Sequence, residues 1–273
     1  MRHTKRQDIE TSHGRIAVES IGQGHAVVFI HGNSACRQVF EKQFASPLLD
    51  GYRLIAFDLP GHGDSRDATD PERTYTLPGL ADLAVELLYE MGVDKAAIVG
   101  ASLGGHVAIE MLAHSKIPQA LFLMGTPPIG SSMAEGFRGK PLGGLGSKPA
   151  LDADEVERFA RTVFGADFEP FMRLAIERTD RNFRGTLFAG AARGLGIDQR
   201  EAVSTHWLPT AIVNGEDDQI INLDYVNSIS YASLWQDTCF RVPNVSHSPF
   251  WEAPELVNAL LAGFLADVTG GKA

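Results

Sequence analysis

The stretch that decides the fold of this chain reads Ile98-Val99-Gly100-Ala101-Ser102-Leu103-Gly104-Gly105. Its apolar start at 97–99 predicts a β-strand, and a helical pattern of apolar residues follows at 103–112. Between the two, Ser102 stands in a Gly-x-Ser-x-Gly sequence. Small residues at those positions permit a turn too tight for side chains, which holds a serine hydroxyl above the edge of the sheet. The stretch therefore predicts a strand–turn–helix unit with Ser102 as a candidate nucleophile.

Two residues farther along the chain follow Ser102 in the order that a nucleophile on such a turn requires. Asp218 comes after an apolar run at 211–213, and His247 comes after a short predicted strand at 238–242. A serine hydroxyl is a weak nucleophile at neutral pH, so an imidazole must take its proton during attack. A carboxylate then fixes the tautomer of the imidazole and stabilises the imidazolium. We therefore predict a triad of Ser102 as nucleophile, His247 as base and Asp218 as acid.

Each member of this predicted triad has an alternative interpretation. Ser102 is also compatible with a buried turn serine, and His247, one of nine histidines, with a surface group in a loop. Glu216 and Asp217 are direct neighbours of Asp218 and compete with it for the role of the acid. The Gly-x-x-acid spacing that begins at Gly215 favours Asp218.

The composition limits the classes of function. The chain has 273 residues, of which 44% are hydrophobic and 21% charged, as is ordinary for a globular protein. Its formal net charge of −10 argues against nucleic acid and anionic membrane surfaces as partners. Residues 1–10 lack the apolar region of a signal peptide, and no apolar run approaches the roughly 20 residues of a membrane span. Cys36 and Cys239 form no metal or disulfide pattern, so we expect reduced thiols and a cytoplasmic protein.

The order of apolar runs and helical patterns predicts an α/β fold. Strand-like runs alternate with stretches whose apolar residues recur at three- and four-residue spacing, which indicates a mostly parallel, doubly wound sheet. An antiparallel hairpin that turns at His13-Gly14 is expected to precede it. The predicted strands are 26–30, 54–57, 96–99, 121–124 and 211–213, and the predicted helices include 80–91 and 107–112.

The stretch at 129–206 breaks this alternation. Its first part, 130–149, is rich in Gly, Ser, Pro and Lys, and we expect it to be a mobile linker. We therefore predict a core formed by 1–128 and 207–273, with an inserted helical cap at 129–206 that opens and closes as a lid. Helical patterns in the cap lie at 153–163, 167–178 and 184–195.

Backbone donors for an oxyanion are expected beside Ser102. The sequence His31-Gly32-Asn33-Ser34 follows the strand at 26–30, where this architecture supplies its second oxyanion donor. We assign the two donors to the backbone N–H groups of Asn33 and Leu103. An alternative role for Asn33 is to cap a helix near 38–44.

Aromatic residues of the cap are candidates for a substrate pocket. Most of them are expected to pack the cap onto the core, and a minority to face Ser102 and hold an apolar substrate tail. We choose Phe159 and Phe164 in the cap, together with Phe250 near His247.

No motif for a metal or cofactor stands out. His62 and Asp64 share a loop shaped by glycines and a proline, but two such residues do not make a metal site. The nine histidines include no His-x-His pair, and residues 100–105 lack the lysine of a P-loop and the glycine spacing of a dinucleotide site. We therefore expect neither a metal nor an organic cofactor.

These motifs jointly resemble the α/β-hydrolase superfamily over nearly the full length of the chain. Within it, the chain resembles the metal-independent serine-hydrolase N-acyl-homoserine lactonases. Such lactonases use a cap tyrosine to help hold the lactone, whereas 129–206 contains no tyrosine, and Phe159 is expected on the comparable helix. Their acid can be a glutamate, and Asp218 stands here instead. The resemblance to the lactonases rests on Glu10-Thr11-Ser12-His13-Gly14-Arg15-Ile16-Ala17-Val18, His31-Gly32-Asn33-Ser34, Ser102-Leu103-Gly104-Gly105-His106, Gly125-Thr126-Pro127-Pro128, Val213-Asn214-Gly215, His247-Ser248-Pro249-Phe250 and Glu252-Ala253-Pro254.

The resemblance implies a serine hydrolase that opens N-acyl-homoserine lactones through an acyl-enzyme on Ser102, with quorum quenching as its role. The substrate is expected to be a small ester or lactone with an apolar tail. The alternatives are a carboxylesterase, a carbon–carbon bond hydrolase, a cofactor-free haloperoxidase and, outside enzymes, a ligand receptor of hydrolase fold. A serine at the turn argues against dehalogenases and epoxide hydrolases, which use an aspartate there. The sequence leaves the oligomeric state open.

Overall fold

An eight-stranded sheet forms the centre of the computed structural model, which describes residues 4–130 and 132–270. The strands are β1 (Lys5–Thr11), β2 (Gly14–Ile21), β3 (Ala26–Ile30), β4 (Arg53–Phe57), β5 (Ala96–Ala101), β6 (Pro118–Met124), β7 (Thr210–Gly215) and β8 (Leu234–Val242). Their order across the sheet is β1-β2-β4-β3-β5-β6-β7-β8. The pairs β1–β2 and β2–β4 are antiparallel and the other five are parallel. The predicted N-terminal hairpin and mostly parallel sheet are confirmed.

Helices cover both faces of this sheet. The α-helices are α1 (Glu41–Phe44), α2 (Pro71–Thr74), α3 (Leu77–Glu90), α4 (Leu103–His114), α5 (Met133–Gly136), α6 (Ala153–Phe164), α7 (Pro170–Arg178), α8 (Arg181–Ala192), α9 (Gln199–Thr205), α10 (Leu223–Ser228), α11 (Pro249–Glu252) and α12 (Pro254–Thr269). Short 3₁₀ helices lie at Arg37–Phe40, Pro47–Leu49 and Pro141–Ser147.

The alternation of side chains along β3 shows how the core is divided between the two faces. Val28 and Ile30 belong to one buried cluster, together with apolar residues of α3 and α4. Val27 and Phe29 point to the other face and belong to a cluster that includes residues of α12. Successive side chains of a strand point to opposite faces, so a strand buried on both sides is apolar throughout. The predicted doubly wound α/β fold is confirmed.

The segment between β6 and β7 is helical, as predicted, but its boundaries differ from the sequence pattern. Helices α6 and α7 correspond to the predicted helices, whereas α8 begins at Arg181, ahead of the predicted start at 184. Asp180 caps α8 by accepting the N–H of Asn182 at 3.0 Å. Helix α9 is not predicted by the apolar pattern, because seven residues are too few to show a period. Asp198, an N-cap that accepts the N–H of Glu201, is the signal that marks its start.

The stretch at 130–149 contains more structure than the expected linker. It includes α5 and a 3₁₀ helix, and Phe137 forms a β-bridge with Ile221. The ordering has an apolar cause, because Phe137, Leu142 and Leu145 pack against buried clusters. Ser131, which falls in this stretch, lies outside the described residues. The mobility of the stretch and the division of the chain into core and cap stay predictions.

Several simple features complete the description of residues 4–130 and 132–270. No helix there combines the length and the apolar character needed to cross a membrane. Cys36 and Cys239 are free thiols, and burial raises the pKa of Cys36 to about 12. No three or more His, Cys, Asp or Glu side chains gather there in a group that suits a metal ion.

Candidate active site

Ser102 occupies a strained turn between β5 and α4. Its φ and ψ are 51° and −116°, a conformation that costs a non-glycine residue about 1–3 kcal/mol. Two hydrogen bonds to the backbone of Ser102 hold the turn. The N–H of Ser102 donates to Met124 O at 2.7 Å, and the Thr126 side chain donates through Oγ1 to Ser102 O at 2.8 Å. A Cβ on Gly104 would lie 1.9 Å from Ile30 O, so this position excludes every side chain. The predicted strand–turn–helix unit is therefore confirmed, with the packing that its glycines indicated.

Replacing Gly104 with alanine is expected to lower the free energy of unfolding by about 3 kcal/mol, because its methyl group would collide with backbone atoms. Gly263→Ala is the matched control. Gly263 is exposed on α12, and its added Cβ would meet only the Trp235 ring at 3.7 Å. This control is expected to stabilise the helix by about 0.5–1 kcal/mol. Urea unfolding measures both variants, and an equal, small effect at the two positions would contradict the steric argument.

Asp218 and His247 form a buried pair at the carboxyl ends of β7 and β8. Asp218 Oδ2 lies 2.8 Å from His247 Nδ1, and its Oδ1 accepts the N–H groups of Ile220 and Ile221 at 2.7 and 3.1 Å. Burial alone raises the pKa of Asp218, but His247 and the two N–H donors outweigh it, so the pKa lies below its ordinary value. An ionised Asp218 requires a proton on Nδ1 of His247. That leaves Nε2 as the nitrogen able to accept a proton.

The other two candidates for the acid lie outside this buried pair. Glu216 and Asp217 are exposed, whereas Asp218 has no exposed surface. Close packing also fixes the His247 ring, because a Cβ on Gly125 would lie 2.8 Å from its Cε1. Of the three adjacent carboxylates, only Asp218 contacts the histidine.

Ser102 and His247 line the same cavity of about 320 Å³. Within the part of the chain that the structure describes, no hydrogen bond joins the Ser102 hydroxyl to the His247 ring. Hydrogen bonds between a nucleophile and its base are often loose without substrate and tighten in the complex. The structure thus brings the serine and the histidine to one cavity and pairs the histidine with the acid.

Two residues at this cavity have backbone N–H groups without acceptors in the described part of the chain. Asn33 and Leu103 both line it, and neither N–H donates to another residue among 4–130 and 132–270. The alternative role of Asn33 as a helix cap is wrong, because Cys36 precedes the first turn at Arg37–Phe40. The Asn33 side chain instead donates to Gly146 O at 3.0 Å. Unpaired N–H groups on two separate loops can together hold an oxyanion.

Apolar side chains form most of the cavity wall. Phe159, Phe164 and Phe250, the three residues chosen from sequence, all line it. The wall combines residues of the sheet-forming part with residues of the segment between β6 and β7. Other apolar residues of the wall include Val39, Leu77, Met133, Phe137, Leu142, Val163, Leu187, Phe188, Leu195, Ile197 and Ile220.

His106 and Gln199 add a polar pair to this wall that sequence reasoning missed. His106 Nδ1 lies 2.7 Å from Gln199 Oε1, and Gln199 Nε2 donates to His106 O at 3.2 Å. Burial lowers the pKa of His106 to about 4, so the ring is neutral, with its proton on Nδ1. The available signal is the position of His106 in the first turn of α4, four residues after Ser102.

His62 and Asp64 have partners of their own. His62 Nε2 accepts the N–H of Ser34 at 3.1 Å, and Asp64 pairs with Arg37 at 2.8 Å. His31 Nε2 accepts the N–H of Leu59 at 3.0 Å. These side chains shape the loops beside the cavity.

Comparison with known proteins agrees with this architecture. A model of the alpha/beta hydrolase family matches residues 27–260. The structure of an N-acyl homoserine lactonase AidH mutant with N-hexanoyl homoserine lactone is similar, with a TM-score of 0.95 and 37% identity over 97% of this chain and 99% of that chain. AidH with N-butanoyl homoserine gives a TM-score of 0.94 and 38% identity, covering 97% of each chain. The AB hydrolase superfamily protein YisY of Bacillus subtilis (strain 168) is 25% identical over 92% of this chain and 96% of that protein. The predicted resemblance is confirmed, and the chain belongs to the alpha/beta hydrolase family.

Proposed function

We propose that this protein is a serine hydrolase that opens N-acyl-homoserine lactones. The observation that carries the proposal is the shared cavity, where Ser102, a histidine paired with a buried acid, and two unpaired N–H groups meet an apolar wall. The choice of substrate class is supported by the similarity to AidH, whose structures hold N-hexanoyl homoserine lactone and N-butanoyl homoserine. This argument rests on site geometry and on the similarity together, because one fold serves many reactions.

The first half of the proposed reaction opens the ring. Ser102 Oγ attacks the lactone carbonyl carbon while His247 Nε2 takes the hydroxyl proton. The carbonyl oxygen becomes an oxyanion, which the Asn33 and Leu103 N–H groups stabilise. The bond between the carbonyl carbon and the ring oxygen then breaks, and His247 returns its proton to that oxygen. Because the new hydroxyl stays tethered to the acyl group, prompt protonation prevents the ring from closing again.

The second half releases the product. Water attacks the acyl-enzyme carbonyl, His247 takes a proton from the water, and the same two N–H groups hold the second oxyanion. Collapse breaks the bond to Ser102 Oγ, which regains its proton from His247. The product is the ring-opened hydroxy acid, and neither half requires a metal or an organic cofactor.

We further propose that 129–206 acts as a cap over a core formed by 1–128 and 207–273. Phe159, Phe164 and Phe250 would contact the apolar tail of the substrate. A cavity of about 320 Å³ is at the small end for ligand sites, which suits short acyl chains. Phe159 offers a ring without the hydroxyl of a tyrosine, so it contributes apolar contact alone. The biological role that follows is quorum quenching, in the cytoplasm.

Ring opening of N-acyl-homoserine lactones of several chain lengths, followed by proton release with a chelator present, tests the proposal. Rapid opening that the chelator does not affect is expected, with short chains preferred because the cavity is small. Aryl esters serve as the comparison substrate. Cleavage of aryl esters without lactone opening would replace the lactonase with a carboxylesterase. Tight lactone binding with only a few turnovers per molecule would replace it with a receptor.

A further inference from the structure

Arg184 is a buried cation without a counterion. Its residue is 2% exposed, and within the described part of the chain no carboxylate lies in ion-pair distance of its guanidinium. Neutral oxygens accept its protons instead: Nε donates to Ser34 Oγ at 2.8 Å, Nη2 to Ile176 O at 2.8 Å and Nη1 to Pro149 O at 3.3 Å. Burial lowers its pKa to about 10, so it is protonated at neutral pH. Burying a charge without an ionic partner costs several kcal/mol, which makes its position noteworthy.

Ser34, the partner of Arg184, belongs to a tight turn formed by residues 32–35. The N–H of Ala35 donates to Gly32 O at 3.3 Å, and Ser34 has a φ of 60°, which is unfavourable for a residue with a side chain. Three hydrogen bonds hold Ser34 there. Its N–H donates to His62 Nε2 at 3.1 Å, its Oγ accepts from Arg184, and its hydroxyl donates to Asn33 Oδ1 at 2.8 Å.

The turn decides where the Asn33 N–H points. This N–H belongs to the same planar peptide unit as Gly32 O, and in a trans peptide the two groups point in opposite directions. Gly32 O is held by the Ala35 N–H and by His31 Nδ1 at 2.8 Å. Fixing the carbonyl therefore fixes the direction of the Asn33 N–H, which has no acceptor within residues 4–130 and 132–270 and belongs to a residue that lines the cavity.

We propose that Arg184 is a positioning residue that holds the turn at 32–35, and thereby the Asn33 N–H, in the geometry that receives an oxyanion. The inference rests on the proposed function in one respect, the role of the Asn33 N–H as donor. Arg184 reaches this turn from α8 across 150 residues of sequence, and Gly146, which accepts from the Asn33 side chain, lies in the same inserted segment. Two contacts from that segment thus hold the turn that carries the Asn33 N–H.

A purely structural link between the segment that carries α8 and the loops of the core would not need a buried cation such as Arg184. Replacing a buried ion by apolar groups of similar volume is often neutral or stabilising. Arg178, the last residue of α7, already links the same segment to the loop after β4 with less burial, donating to Ser65 O at 2.7 Å and pairing with Asp67 at 2.9 Å. A desolvated cation near the loop also favours an anion that develops there.

The test compares Arg184→Met and Ser34→Gly with the control Arg178→Met. Ser34→Gly deletes the hydroxyl but tolerates the φ of 60° and keeps the N–H that binds His62. Hydrolysis of p-nitrophenyl butyrate is measured per active site, titrated with a phosphonate that labels Ser102. We expect kcat/KM to fall by about 10- to 100-fold in the first two variants, with Arg178→Met within twofold of wild type. The double variant is expected to lose no more than the worse single variant, because both act through one contact.

A second readout separates positioning from folding. A trifluoromethyl ketone that forms a tetrahedral adduct with Ser102 is expected to lose affinity in parallel with kcat/KM, while KM for the ester stays within about twofold. If Arg184→Met does not fold, Ser34→Gly alone decides. Unchanged kcat/KM per active site in Ser34→Gly would overturn the inference and leave the proposed function intact. A wild-type protein that cleaves neither esters nor lactones would overturn both.

Discussion

Replacing Ser102 with alanine is expected to lower kcat for lactone opening by about 10⁴- to 10⁶-fold, the range seen when the nucleophile of such a triad is removed. The fold is expected to survive, because the Ser102 hydroxyl makes no hydrogen bond within residues 4–130 and 132–270 and alanine can occupy the same turn. The thermal midpoint should therefore stay within about 2 °C of wild type. Proton release under saturating lactone measures the activity, and circular dichroism measures the midpoint.

A second measurement tests whether the loss of activity in Ser102→Ala reflects the loss of the nucleophile. Rapid quench of the wild-type enzyme with an activated ester, followed by mass spectrometry, is expected to find the acyl group on Ser102. Ser228→Ala is the control, since Ser228 is an exposed serine at the end of α10 whose hydroxyl, among the residues that the structure describes, bonds only to Tyr225 O. It should keep full activity. More than about 1% residual turnover in Ser102→Ala, with Ser228→Ala unchanged, would remove Ser102 from the role of nucleophile.

The sequence predicts best where a short motif has a steric meaning. The turn around Ser102 could be predicted because glycine at 100 and 104 is the only residue that fits, and the structure shows why: added Cβ atoms would lie 2.4 and 1.9 Å from backbone atoms. The strands could be predicted because the central residues of β3 to β7 are buried on both faces and are therefore apolar. These signals are local, so no long-range contact is needed to read them.

Other parts of the site depend on contacts between residues far apart in the chain, which the spacing of residues in the sequence does not show. The spacing from Gly215 favours Asp218 among the three carboxylates at 216–218, but only burial and the contact with His247 separate it from the others. In the sequence Arg184 cannot be distinguished from the other arginines, because its role depends on its contact with Ser34, 150 residues away. Gln199 belongs to a helix too short for a period, so its pairing with His106 was also hidden.

Replacing Asp218 with asparagine is expected to lower kcat/KM by about 10³- to 10⁴-fold. The asparagine amide can present an N–H to Nδ1 of His247, which favours the tautomer that carries the proton on Nε2. In that tautomer the base cannot accept the proton of Ser102, although the ring keeps its place. Asp217→Asn is the matched control, because Asp217 is exposed and its hydrogen bonds with Val245 and Gln219 use backbone atoms that the change leaves in place. We expect this control to retain wild-type activity.

Because the pKa of Asp218 is lowered in the folded state, its contribution to the stability of the fold depends on pH. A side chain that only kept the His247 ring in place would contribute equally at every pH. A carboxyl whose pKa is lower in the folded state than in the unfolded state stabilises the fold above its unfolded pKa, near 4, and this contribution is lost as the pH falls through its folded pKa. The stability of wild type should therefore exceed that of Asp218→Asn at pH 7, and the difference should shrink as the pH falls below 4. Urea unfolding at pH 7 and at a pH below 4 measures this difference in stability. A stability difference that does not depend on pH would refute the assignment of Asp218 as the ionised acid. Equal losses of activity in Asp217→Asn and Asp218→Asn would refute it too, because of these two residues only Asp218 contacts His247.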